Sequence, residues 1–100
     1  MKSPFENLDR VLEHNVRLQI MSIVVAGETP DFSFLKDQLG VTDGNLATHI
    51  KALEKVKYLS VVKSFVDRKP NTRYKCTEKG RQAFKKHLEA MEQIIKYQRS

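Results

Sequence analysis

The sequence predicts a mainly α-helical chain carrying one small β hairpin, an α+β class, on three observations. Apolar residues recur at helical spacing before residue 58 and again after residue 77. From Ser60 to Cys76 the pattern changes to β-branched residues and alternation, divided by the turn cluster Asp67-Arg68-Lys69-Pro70-Asn71. Capping and turn-forming residues stand at the joints between these stretches.

Taken in order, Phe5, Leu8 and Leu12 sit at helical spacing in a short amphipathic stretch, and His14-Asn15 interrupts it. Val16, Ile20, Ile23 and Val24 form a second apolar stripe that ends at Gly27 and Thr29-Pro30. Asp31 is the expected N-cap of a short helix through Gln38, anchored by Phe32 and Leu35. Gly40 occupies the position where a helix end calls for a left-handed residue, and Val41 follows as an apolar plug. Thr42 caps a longer helix over residues 43–57, with Asp43 on the favourable end of its dipole. Two helices joined by a short turn containing glycine make a helix-turn-helix unit. The hairpin that follows carries a basic tip, which is the form of a wing. In its second strand, Tyr74 and Cys76 share one face and Arg73 and Lys75 the other. Thr77 caps a final helix. The expected organisation is one domain over 1–100: N-terminal helices at 5–26, the helix-turn-helix at 31–57, the wing at 60–76 and a C-terminal helix at 77–98.

Composition narrows the function classes. With 40% hydrophobic and 30% charged residues, the chain is too apolar for a disordered segment, and no apolar run reaches the length of a membrane span. There is no signal-peptide pattern, and the single cysteine, Cys76, permits no internal disulfide, so a cytoplasmic protein is expected. The net charge of +6 is unevenly placed: residues 1–42 carry −2, residues 43–76 carry +5 and residues 77–100 carry +3. Positive charge begins at Asp43, where the helix-turn-helix and wing reading puts elements that meet a polyanion.

On the 43–57 helix, Leu46, Ile50 and Leu53 cluster on one face, while Gly44, Thr48, Lys51 and Lys55 lie opposite and Asn45 and His49 occupy a flank. Small residues let a backbone approach a major groove, Asn and Thr can meet base edges, and Lys can meet phosphates. In the wing, Lys63, Arg68, Lys69 and Arg73 can reach phosphates or the adjacent minor groove. The last helix shows two adjacent seams, Phe84-Leu88-Met91-Ile95 and Ala83-His87-Ala90-Ile94-Tyr97. One seam is expected to cover the domain's own core. The other, with Phe5, Leu8 and Leu12, is expected to pack against a second subunit, making Phe84, Leu88, Met91, Ile94 and Ile95 candidate dimer residues. Each pattern also has a plainer explanation: a solvated helix face, an exposed hairpin whose lysines guard its edges, and seams that both fold back on one monomer.

No catalytic arrangement is present in the sequence pattern. His14, His49 and His87 are scattered without metal-ligand spacing, Cys76 is expected to point inward, and no phosphate-cradling glycine loop occurs. The chain is read as a non-enzyme needing no cofactor and no metal.

Three stretches together carry a family resemblance: residues 34–42, residues 43–54 with Asp43-Gly44-Asn45-Leu46 and His49-Ile50, and residues 72–80 with Thr77-Glu78-Lys79-Gly80. They resemble the small winged-helix transcriptional regulators of the MarR and ArsR groups, over nearly the whole chain. The resemblance implies a homodimer binding a pseudo-palindromic double-stranded operator. It implies Gly44, Asn45, Thr48 and His49 in the groove, Arg68, Lys69 and Arg73 as wing contacts, and terminal helices as the dimer interface. ArsR-type metal sensors use cysteine pairs, which this chain lacks. No effector is named by these residues. The alternative reading is a winged-helix protein-interaction module without DNA contact.

Overall fold

The computed structural model describes residues 3–99; Met1, Lys2 and Ser100 lie outside the described residues. A 3-10 turn (Pro4–Asn7) precedes helices α1 (Asn15–Val25), α2 (Phe32–Leu39) and α3 (Asp43–Lys55), strands β1 (Leu59–Val66) and β2 (Lys69–Cys76), and helix α4 (Glu78–Arg99). The two strands pair antiparallel, and an isolated bridge between Asp31 and Arg73 adds the α1–α2 connection to their edge. This is the winged helix-turn-helix arrangement, with four helices and one hairpin.

Local chemistry places each joint. Asp31 Oδ1 accepts the Phe34 N–H at 2.8 Å and caps α2. Gly40 closes that helix at φ 62°, in the left-handed region where a Cβ is strained. Thr42 Oγ1 accepts the Asn45 N–H at 3.2 Å and starts α3. The core gathers Leu12, Ile20, Met21, Val24, Leu35, Leu46, Ile50, Leu53, Leu59, Tyr74 and Phe84 from every element around it.

Four features differ from the sequence-based expectation. The stretch after Phe5 is not one helix: Leu8 is extended, and Asp9 begins a separate turn. A continuing helix would direct the Asp9 N–H to Phe5, but that N–H donates instead to Nδ1 of the buried His87, at 2.9 Å. Asp9 Oδ1 takes the Val11 N–H as well, so the side chain competes with helix formation. Helix α3 stops at Lys55 rather than 57. Tyr58 N–H reaches the Leu53 carbonyl and Lys57 N–H that of Glu54, the paired bonds of a Schellman end, with Lys57 at φ 64° where glycine is usual.

The hairpin is also tighter than expected. Its turn is only Asp67-Arg68, both at positive φ, and β2 begins at Lys69. Pro70 is tolerated in the strand because it stands opposite Phe65. Counting back from a two-residue turn, that pair is one whose N–H groups point out of the ladder. Finally, Leu12 (0% exposed) and Phe84 (9%), expected at a dimer interface, are core residues of this chain. Helical spacing marks both as apolar, but both pack into the core cluster with Ile20, Met21 and Leu53 rather than facing outward.

Gly80, on the first turns of α4, lies against the carbonyl of Tyr58; a Cβ there would overlap that oxygen and press on Met21. Alanine in a helix ordinarily stabilises by about 1 kcal/mol over glycine. Here Gly80→Ala is expected to destabilise, by about 1–3 kcal/mol as for other overpacked sites. Urea denaturation of the two proteins checks the sign.

Candidate nucleic-acid interface

Helix α3 is seated by Leu46, Ile50 and Leu53, all buried, and by its contacts with α1 and β1. That seating turns Gly44, Asn45, Thr48, Lys51 and Lys55 outward, and all five are exposed. Gly44 has open space around the position of a Cβ, so its role is not internal packing. The Thr48 hydroxyl donates to the Gly44 carbonyl at 2.9 Å. With its proton committed, Thr48 presents an acceptor lone pair and a methyl group to whatever lies outside. Asp43 would repel a phosphate, but the Lys36 ammonium meets it at 2.8 Å, and that bond raises the Lys36 pKa. The start of α3 therefore presents little net negative charge.

His49 departs from its expected place in the groove. It is 8% exposed, and its ring packs against that of His14 at a 40° tilt with centroids 4.0 Å apart. His14 is the N-cap of α1, accepting the Val16 N–H on Nδ1. A flank position on a helix is buried or exposed according to what covers it, and the start of α1 covers this one. His49 Nδ1 and Arg17 Nε are buried without a hydrogen-bond partner. Burial pushes the His49 pKa below its ordinary 6.5, and the charges of His14 and Arg17 push the same way.

The wing places its cations at two levels. Lys63, Arg68 and Lys69 are exposed on the outer part of the hairpin, with Arg68 in the turn itself. Arg73 lies near the base, and its Nη1 donates to the Thr29 carbonyl at 2.8 Å. One edge of that guanidinium is thus tied to the α1–α2 connection, although the residue is exposed. The base half of the hairpin packs on the body through Leu59, Val61, Tyr74 and Cys76. Cys76 is half-buried, and burial raises its thiol pKa, which leaves it a poor nucleophile.

Two groups of residues were missed by sequence reasoning. Asp9, Tyr58 and His87 form a bonded set, with the Tyr58 hydroxyl donating to Asp9 Oδ2 at 2.5 Å and its pKa pushed up to about 12 by burial and that carboxylate. No local signal joins positions so far apart in sequence. Phe65 was absorbed into a strand pattern, yet it is 77% exposed. Alternation predicts that it shares the inward face, but the hairpin has outrun the body by that point. Among the described residues, no three His, Cys, Asp or Glu side chains converge as a metal site, and no helix is long and apolar enough to cross a membrane.

This geometry has counterparts. Residues 16–95 match the family described as the winged helix DNA-binding domain, and the chain belongs to that family, whose members bind DNA rather than catalyse. An uncharacterized protein of Methanocaldococcus jannaschii is 34% identical over 87 residues, spanning 87% of this chain and 95% of its own. A solved structure described as a transcriptional regulator homologue from Pyrococcus horikoshii is similar at a TM-score of 0.84, with 30% identity over 96% of both chains. A transcriptional regulator from Thermotoga maritima shares the fold at a TM-score of 0.72 and 20% identity, covering 93% of this chain and 70% of its own.

The buried His49 makes stability acid-sensitive in a defined direction. The unfolded chain takes a proton on this ring near pH 6.5, whereas the folded chain resists it. Stability from this position is full above pH 6.5 and declines as the pH falls below it. Urea denaturation at about pH 7.5 and about pH 5.5 should show that decline, and His49→Leu should flatten it.

Proposed function

We propose that this chain is a cytoplasmic, homodimeric transcriptional regulator that binds a pseudo-palindromic site in double-stranded DNA in a sequence-specific manner. The observation that carries the reading is the outward face of α3, where small and hydrogen-bonding residues stand among lysines beside a cation-bearing hairpin. In this reading Asn45 and Thr48 meet base edges in the major groove, and Gly44 lets the backbone approach. Thr48, with its hydroxyl proton already donated, suits a base-edge donor or a thymine methyl. Lys51, Lys55, Lys63, Arg68, Lys69 and Arg73 meet phosphates or the minor groove. His49 acts behind the helix, holding α3 against α1. The description of the Pyrococcus horikoshii structure as a transcriptional regulator homologue supports the regulatory role.

The shape of the chain supports a dimer. Its radius of gyration is 15.2 Å and its long axis 57 Å, against about 13 Å for a compact 100-residue domain. Helix α4 exposes Leu88 (42%) at its middle and Ile95 (50%) further out. Beside them an apolar groove of about 340 Å³ is lined by Leu8, Leu18, Met91, Ile94 and Ile95 among others. In a dimer these residues form the interface together with Phe5, while Leu12 and Phe84 support it from within. Two recognition helices then address two half-sites, in keeping with the symmetry of the assembly.

A dimer making about 6–10 phosphate contacts should lose about 10³–10⁵-fold in affinity between 50 and 200 mM salt. Titration of DNA selected from random sequence measures this, and salt-insensitive binding would refute the reading. Thr48→Ala should cost about 1–2 kcal/mol and relax preference at one base position. Lys51→Ala should weaken binding to all sequences evenly and lower the salt slope by about one. Sedimentation should find the wild type dimeric at micromolar concentration and Leu88→Glu monomeric; a monomeric wild type would overturn the dimer.

A further inference from the structure

The outer half of the wing carries an aromatic side chain that the protein itself does not use. Phe65 is 77% exposed, the most exposed of the large hydrophobic residues described. It stands directly opposite Pro70, and across the strands Lys63 pairs with Thr72 on the same face, one step nearer the body. Leu59, Val61, Tyr74 and Cys76 continue that face down to the core. Phe65 thus belongs to the inward face of a hairpin whose end overhangs the body, and none of the described residues covers it.

Its surroundings specify the kind of partner. Lys63 shares the face of the Phe65–Pro70 pair, Arg68 stands in the turn, Lys69 projects from the opposite face, and the only acid in the hairpin is Asp67 in the turn. An apolar tip flanked by cations is poorly suited to another basic surface, including a second copy of this wing, and well suited to a polyanion with an apolar interior. Duplex DNA has that character: phosphates outside and stacked bases within. Side chains such as Phe and Pro enter the minor groove of DNA, separate adjacent base pairs and kink the duplex. The hairpin's end is also presented stiffly. A two-residue turn closes it, Pro70 fixes one backbone angle, and a small cleft of about 210 Å³ beside Phe65 is lined by Lys63, Ser64, Pro70, Asn71 and Thr72.

The geometry points to Phe65, backed by Pro70, as a wedge that enters the minor groove beside the site held by α3 and bends the DNA there. This inference rests on the DNA reading above and adds a residue that selects sequence by deformability. Pyrimidine–purine steps unstack most easily, so the wedge favours such a step at its point of entry. The cations around Phe65 hold the neighbouring phosphates while the ring displaces one stacking contact.

The test uses the full-length wild type and Phe65→Thr, which replaces the ring by a β-branched residue that also favours a strand. The probe is the duplex that the wild type selects from random-sequence DNA, labelled at its ends with donor and acceptor dyes. The wild type is expected to bend this duplex by about 20–90°. Phe65→Thr is expected to lose the bend and about tenfold to a hundredfold in affinity, with an unchanged salt slope because no phosphate contact is removed. Replacing the flexible step by a stiff A-tract should weaken the wild type and leave the variant unaffected. Equal bending and affinity in both proteins would overturn the wedge while leaving the DNA reading intact. A flattened salt slope in the variant would also overturn it, by showing that Phe65 merely supports the hairpin. A change in DNA-free sedimentation between the two proteins would assign Phe65 to a protein contact instead. A wild type that binds no DNA removes the DNA reading and the wedge together.

Discussion

Between α3 and β1 the backbone turns through Lys57 and Tyr58, and four parts of the molecule are fastened to those two residues. The Tyr58 carbonyl accepts the Thr77 N–H at 3.1 Å, and the Thr77 hydroxyl donates to the Lys57 carbonyl at 2.6 Å while accepting the Gly80 N–H at 2.9 Å. The absence of a side chain at Gly80 lets α4 approach the same carbonyl. The Tyr58 hydroxyl reaches Asp9, whose own N–H is held by His87 on α4. The end of α3, the base of the hairpin, the start of α4 and the N-terminal segment are therefore positioned relative to one junction. Polar groups taken out of water carry a desolvation cost unless they are bonded, and the partly buried Tyr58, Asp9 and buried His87 satisfy one another here. The angle between helix and wing is set here.

A second constraint acts at the middle of α3. There His49 is packed under the start of α1 against His14, in a place where its charged form is disfavoured. The exposed face of α3 is thus set from behind at two places: by the Schellman turn after its last residue and by imidazole packing at its midpoint. A helix fixed in this way presents Gly44, Asn45 and Thr48 in a defined orientation without burying any of their side chains. The separation of roles is visible in the side chains themselves, since those facing out make no long-range bonds.

The remaining functional surfaces are overhangs. The hairpin leaves the body beyond Val61, and the outer turns of α4 leave it beyond Ala90. Both carry apolar residues where a monomer has no use for them, and the elongated form of the chain follows from both. In the proposed assembly one overhang is met by a second subunit and the other by DNA. The distribution of charge separates the two: lysines and arginines surround the wing tip, whereas the groove beside Met91, Ile94 and Ile95 is mainly apolar.

By itself, the sequence determined the order of elements, the caps at Asp31, Thr42 and Thr77, the left-handed turn at Gly40 and the outward face of α3. These depend on local hydrogen bonding and on helical or strand periodicity, which a short window of residues specifies. It did not determine which apolar residues serve the chain's own core and which serve a surface. Leu12, Phe84, Leu88 and Ile95 look alike in the pattern, and only the assembly of the core from α1, α2, α3, both strands and α4 buries the first two. The same holds for His49, buried because α1 covers it, and for Phe65, exposed because the hairpin extends past its support. Whether a side chain meets protein or solvent depends on contacts between residues distant along the chain, and those exist only once the elements have come together.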